Sequence, residues 1–77
     1  MSIRVRYFAS LKEHVGRSED ELQTADPLSV ENVWRRLNPD QALPDSVLAA
    51  VNMEYVPLDT LVKDGDELAF FPPVTGG

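Results

Sequence analysis

The sequence predicts an α+β fold: a mixed β-sheet with one main helix packed on one face. Three observations carry that expectation. Ile3-Arg4-Val5-Arg6-Tyr7 and Glu67 to Phe71 alternate in the period-two manner of strands. Val30, Val33, Trp34 and Leu37 instead recur at helical spacing. Turn-forming pairs, Asn52-Met53 and Asp64-Gly65, punctuate the segments between.

Each element follows from local chemistry. Ile3, Val5 and Tyr7 share one strand face, while Arg4, Arg6 and Phe8 give the other a half-polar character. Ser10 is placed to cap a short helix, Leu11 to Val15, that stops at Gly16. Glu19 to Gln23 is a weaker strand. Ser29, after Asp26-Pro27-Leu28, is the N-cap of the main helix, with Glu31 in its first turn and Arg35 and Arg36 on its exposed face. Pro39 and Pro44 bracket a loop. The apolar run Val47 to Val51 predicts a strand buried on both sides, with Ala49 and Ala50 admitting close neighbours. Glu54 to Val56 is a short strand ended by Pro57, and Glu67 to Phe71 is the last strand. The order strand–strand–helix–strand–strand–strand packs Trp34 and Leu37 on Val5, Tyr7, Leu68 and Phe70. Strand parity then sends Ala69 and Phe71 to the opposite face, where Phe71 is a candidate exposed aromatic.

At 77 residues the chain is one small domain without repeat or linker. Seven basic residues against thirteen acidic ones, a net charge of −6, argue against nucleic acid, whose phosphates reward clustered Lys and Arg. An acidic protein suits partners with basic docking surfaces, although modest charge also simply maintains solubility. The absence of cysteine removes disulfides and thiolate metal sites and fits a cytoplasmic protein. Met1-Ser2-Ile3-Arg4 leads directly into the first strand without an apolar signal core, and no apolar run is long enough for a membrane span.

The most informative segment is the last one, Phe70-Phe71-Pro72-Pro73-Val74-Thr75-Gly76-Gly77. Glu67 is the last charged side chain, so ten uncharged residues follow it. Proline has no N–H for a sheet ladder, so Pro72-Pro73 ends the strand and continues as a stiff polyproline stalk. Fully extended, Pro72 to Gly77 reaches roughly 20 Å. Val74 suits a shallow apolar pocket and Thr75 a hydrogen bond to a channel wall. Gly76 and Gly77 lack Cβ atoms, so an active site can close around the backbone and address the terminal carboxylate. The expected division is therefore residues 1–71 as the folded domain and 72–77 as an extended tail.

These segments carry a resemblance. Ile3-Arg4-Val5-Arg6-Tyr7-Phe8-Ala9-Ser10-Leu11-Lys12-Glu13 with Val15-Gly16, Leu48-Ala49-Ala50-Val51-Asn52, and Asp64-Gly65-Asp66-Glu67-Leu68-Ala69-Phe70-Phe71-Pro72-Pro73-Val74-Thr75-Gly76-Gly77 together resemble the MoaD-type sulfur carriers, the small subunits of molybdopterin synthase in the MoaD/ThiS family. The likeness spans nearly the whole chain and is weakest from Arg17 to Asp26 and from Asn38 to Ser46, where the loop is short for the family. It implies a ubiquitin-like β-grasp fold. It also implies that a ubiquitin-activating-like adenylyltransferase (MoeB-type) uses ATP to adenylate Gly77. A persulfide donor then converts that terminus to a thiocarboxylate. Its sulfur attacks cyclic pyranopterin monophosphate in the large subunit (MoaE-type), within a heterotetramer that builds the dithiolene of molybdopterin during molybdenum cofactor biosynthesis. On this reading Gly77 carries the reactive carbonyl and Gly76 keeps the approach narrow. Thr75, Val74, Pro73 and Pro72 position the tail, and Phe71 joins the docking surface. The chain is then a co-substrate and not an enzyme on its own, with no cofactor or metal bound and with ATP used by the activating partner.

Other constellations point to little. His14 is the single histidine, and metal or triad chemistry needs partners that a lone imidazole lacks. Glu19-Asp20-Glu21 and Asp64-Gly65-Asp66-Glu67 are carboxylate clusters without calcium-loop spacing, expected as solvated turns. There is no phosphate-binding loop of the Gly-x-x-x-x-Gly-Lys type. Two rival readings share the double glycine: a thiamine-type sulfur carrier, which lacks the Phe-Phe-Pro-Pro-Val approach, and a ubiquitin-like modifier conjugated through Gly77.

Overall fold

The computed structural model describes residues 2–44 and 46–73. Strand β1 spans Ile3–Tyr7 and helix α1 spans Ser10–Val15; β2 is Glu19–Leu22. A two-residue strand, β3 at Leu28–Ser29, runs directly into helix α2, Val30–Leu37. Strands β4 (Leu48–Val51), β5 (Glu54–Val56), β6 (Leu61–Val62) and β7 (Glu67–Phe71) complete the chain. The main sheet has five strands in the order β2-β1-β7-β4-β5, with β3 and β6 forming a separate pair. β1 and β7 are parallel, in register Val5↔Leu68 and Tyr7↔Phe70, while β1–β2, β4–β7 and β4–β5 are antiparallel.

The parallel pairing of first and last strands places the hydrophobic centre. Ile3, Val5, Leu68 and Phe70 are fully buried against Val30, Val33 and Trp34 of α2. The Trp34 ring meets Phe70 edge-on at 5.1 Å and Tyr7 edge-on at 5.8 Å, and its Nε1–H donates to the Gln41 carbonyl at 3.0 Å. Such edge-to-face pairs add about 0.5–1.5 kcal/mol each beyond the area they bury. Leu37 joins the rim of this core, as its helical spacing requires. Ala49 faces α2 and Ala50 faces the other way; both are buried, Ala50 because its small side chain sits low between the larger residues around it and not because another layer covers that side.

Helix α2 begins as expected: Ser29 Oγ accepts from the Asn32 N–H at 3.1 Å. Helix α1 does not. Its N-cap is Ala9, at φ 52°, and no side chain caps it; Ser10 is already the first helical residue. The reason is that Phe8 is still held by the sheet, its N–H donating to the Phe70 carbonyl at 3.1 Å, so the chain must turn sharply within one residue. Gly16, at φ 84°, ends α1 with its N–H on the Lys12 carbonyl, a left-handed position where only glycine is unstrained.

A polar clasp ties the helices to the sheet edge. Tyr7 Oη donates to Asp20 at 3.0 Å and accepts from buried Asn38 Nδ2 at 3.1 Å. Arg17 donates to Asp20 at 2.7 Å and to Asn38 Oδ1 at 2.7 Å. Asp20 thus belongs to a strand and a hydrogen-bond network, not to the solvated turn expected of Glu19-Asp20-Glu21.

Candidate functional site

The sheet face away from α2 is the site the fold builds. Register sets its rows: Glu19, Arg6, Ala69, Ala50 and Tyr55 lie side by side across the strands, and Glu21, Arg4 and Glu67 form the next row. The β2–β1 side is charged, and the β7–β4–β5 side is apolar. Two alanines at the centre leave a shallow depression of about 310 Å³, bounded by Arg6, Phe8, Met53, Tyr55, Glu67 and Phe71.

Phe71 is half-buried on this face, where the sequence suggested an exposed ring. Its cover is Phe8, stacked at 4.7 Å and within 7° of parallel, with Tyr55 tilted against it at 5.9 Å. Arg6 lies 5.5 Å from the Phe8 ring centroid, adding a cation–π contact at the charged boundary. Tyr55 is 70% exposed and Met53 94% exposed, so aromatic and thioether surface remains open to solvent beside the stack. Apolar surface rimmed by charge makes this face the candidate docking surface.

This face leads into the tail. Phe71 is the last paired residue of β7, opposite Leu48. Pro72, half-buried, and Pro73, exposed, follow outside any strand. Val74, Thr75, Gly76 and Gly77 lie outside the described residues. Of the predicted site residues, the structure therefore positions Phe71, Pro72 and Pro73. Sequence reasoning missed Phe8, Tyr55 and Met53. Phe8 had a readable signal, since it shares parity with Arg4 and Arg6. Tyr55 needed the Ala50↔Tyr55 pairing, which is not local to Phe71.

His14 is exposed in the last turn of α1, and among the described residues no three His, Cys, Asp or Glu side chains are grouped to hold a metal. No helix among them is long and apolar enough to cross a membrane. The Asp66 carboxylate is held below its ordinary pKa. The Lys63 backbone N–H donates to it at 3.0 Å and Asn52 Nδ2 at 3.1 Å, which orders the turn before β7.

A five-stranded mixed sheet, with parallel outer-chain strands at its centre and one helix across it, is a ubiquitin-like β-grasp. The ThiS family matches residues 5–77, and the chain belongs to that family. The molybdopterin synthase sulfur carrier subunit of Escherichia coli K12 is 43% identical over 81 residues, covering 97% of this chain and 99% of that protein. The subunit of the same name from Chlamydomonas reinhardtii is 37% identical, with both chains covered completely. Among solved structures, SAMP1 from Haloferax volcanii superposes with a TM-score of 0.79 at 28% identity, again over the whole of both chains.

Proposed function

We propose that this chain is the sulfur-carrier subunit of molybdopterin synthase, a co-substrate whose reactive group is the carboxyl of Gly77. The observation that carries this reading is the continuity of β7. One strand holds the core through Phe70, presents Phe71 on the open apolar face, and passes into Pro72-Pro73. A partner that covers the face therefore receives residues 72–77 as a guided tail, while residues 1–71 stay folded. The end-to-end likeness to named sulfur carrier subunits supports the assignment.

The chemistry follows from the weakness of a carboxylate as an acyl donor. On the adenylyltransferase, a Gly77 oxygen attacks the α-phosphorus of ATP, pyrophosphate leaves, and an acyl-adenylate forms. The terminal sulfur of a persulfide then displaces AMP to give an acyl disulfide, which a thiol reduces to the thiocarboxylate. In the large subunit that sulfur attacks a side-chain carbon of cyclic pyranopterin monophosphate and a C–O bond there breaks, the oxygen leaving with the opened cyclic phosphate for one sulfur and as water for the other. Water cleaves the resulting thioester and returns the Gly77 carboxylate. Two carriers supply the two dithiolene sulfurs. This chain contributes positioning: Phe8, Phe71 and Tyr55 dock, Pro72 and Pro73 stiffen, Val74 and Thr75 guide, and Gly76 leaves room around the reacting carbonyl. Nucleotide and magnesium contacts belong to the adenylyltransferase, and pterin contacts to the large subunit of the cytoplasmic heterotetramer.

Reconstitution with the organism's large subunit tests the reading. The thiocarboxylated chain is expected to convert cyclic pyranopterin monophosphate to molybdopterin, and a chain bearing one extra residue after Gly77 is not. Co-purification with a thiazole synthase would favour the thiamine-type carrier, and lysine-linked conjugates in extracts would favour the modifier.

A further inference from the structure

We infer that Asn52 is a positioning residue for sulfur transfer: it holds the start of β7 in register with β4 and so fixes how far the chain carries Gly77 beyond the folded domain. The inference rests on the carrier reading above, and it concerns the end of the sheet opposite the tail.

β4 and β7 pair from Leu48↔Phe71 to Val51↔Leu68, and the next rung would set Asn52 opposite Glu67. Only half of that rung is made by backbone. Val51 pairs with Glu54, so Asn52 opens a two-residue turn, and its φ of 50° takes the chain out of the ladder. Its N–H still donates to the Glu67 carbonyl at 2.8 Å. The Glu67 N–H, however, donates to the Asn52 side chain, Oδ1 at 3.0 Å, which stands in for a backbone carbonyl. Asn52 Nδ2 then donates to the Asp66 carboxylate at 3.1 Å. Three requirements meet in this one residue. A left-handed φ favours Gly, Asn or Asp, an acceptor for Glu67 leaves Asn or Asp, and a donor beside Asp66 leaves Asn. Asp66 is fixed in turn, its carboxylate by the Lys63 N–H at 3.0 Å and its carbonyl by the Arg4 N–H at 3.0 Å. The start of β7 is thus gripped from both neighbours, β4 and β1.

What the grip decides is distance. Burial of Leu68 and Phe70 already excludes a slip of one residue, which would turn both outward. A slip of two residues returns every side chain to its own face while moving the strand by about 6–7 Å. That shift takes the Glu67 N–H and the Asp66 carboxylate out of reach of Asn52, so Asn52 selects against the one error that face parity tolerates. Gly77 lies six residues past Phe71, the end of the same strand, so a displaced β7 displaces the reactive carboxyl. A misplacement of about 1 Å at a reacting centre can cost on the order of a hundredfold in rate.

The test uses thiocarboxylated full-length chains with the organism's own large subunit. It compares the parent with Asn52→Gly, Asn52→Asp, the pair Asn52→Asp with Asp66→Asn, and Tyr7→Phe as a variant destabilised elsewhere. Asn52→Gly keeps the left-handed turn and removes both side-chain bonds. Its sulfur-transfer efficiency should fall at least about fivefold, in step with the fraction of molecules in register. Its β4 and β7 amides should exchange hydrogen at least about tenfold faster than those of Tyr7→Phe, which should itself transfer sulfur within about twofold of the parent. Asn52→Asp sets two carboxylates together and should lose transfer similarly. Adding Asp66→Asn restores a donor between the two positions and should bring transfer back to within about threefold of the parent. Parent-like transfer by Asn52→Gly, an equal loss in Tyr7→Phe, or no recovery in the exchanged pair overturns the inference while leaving the carrier reading intact. No transfer by the parent chain overturns the carrier reading and this inference together.

Discussion

Phe8 and Phe71 stack face to face at 4.7 Å on the sheet surface opposite α2. They come from opposite ends of the sequence and meet because β1 and β7 are parallel neighbours, Tyr7 beside Phe70. The same two strands therefore supply the inner aromatic cluster and the outer one. Inside, Tyr7 and Phe70 meet Trp34. Outside, Phe8 and Phe71 meet whatever covers the face.

The two clusters should separate stability from binding. Trp34→Ala removes a fully buried indole and should cost about 3–5 kcal/mol, a large part of the 5–15 kcal/mol typical of a domain. Phe71→Ala removes a half-buried ring and should cost less than about 2 kcal/mol in denaturant unfolding, yet weaken binding to the large subunit about tenfold or more. Equal losses of stability for the two variants would mean that Phe71 is simply core.

The clasp around Tyr7 should respond to loss of one hydroxyl. Tyr7→Phe leaves the buried Asn38 Nδ2 without its partner and should destabilise the domain by about 1–3 kcal/mol at neutral pH. Burial raises the Tyr7 pKa above the ordinary phenol value. Its contribution is therefore complete below the unfolded pKa of about 10 and is lost as pH rises through the folded one. The alkaline fall in stability should be shallower in Tyr7→Phe, as followed by urea unfolding from pH 7 to 11.

Asp66 has the opposite sign. Its pKa is depressed, first by the Lys63 N–H and also by Asn52, so its contribution is present above the unfolded value of about 3.9. It is lost as pH falls through the lower, folded value. Asp66→Asn should be less stable than the parent at pH 7 by about 1 kcal/mol, and the gap should narrow as pH falls below the unfolded value and through the lower, folded one. A gap that persists in acid would show that shape, not charge, holds this turn.

Much of this architecture was legible in residue patterns because it rests on local periodicity. Val30, Val33 and Trp34 specify the buried stripe of α2, Ser29 its cap, and the parity of Leu68 to Phe71 the two faces of β7. What was not legible is what depends on distant pairing. β3 and β6 are two residues each, and they exist because Leu28 meets Val62 and Ser29 meets Leu61. Asn38, a loop residue by sequence, is buried because Tyr7 and Arg17 both reach it. The Ser10 cap failed because the sheet keeps hold of Phe8, leaving Ala9 to make the turn at positive φ. On the candidate face, Phe71 was readable from parity, while Tyr55 needed the strand order.

The central claim concerns Gly77, and intact mass after activation tests it most directly. The sequence contains no cysteine, so no side-chain persulfide can imitate a gain of sulfur. Incubation of the full chain with ATP, an adenylyltransferase of the proposed activating class and a persulfide donor should raise the mass by one exchange of oxygen for sulfur, with fragment spectra placing it on Gly77. An unchanged mass, or sulfur retained when Gly77 is deleted, would contradict the account.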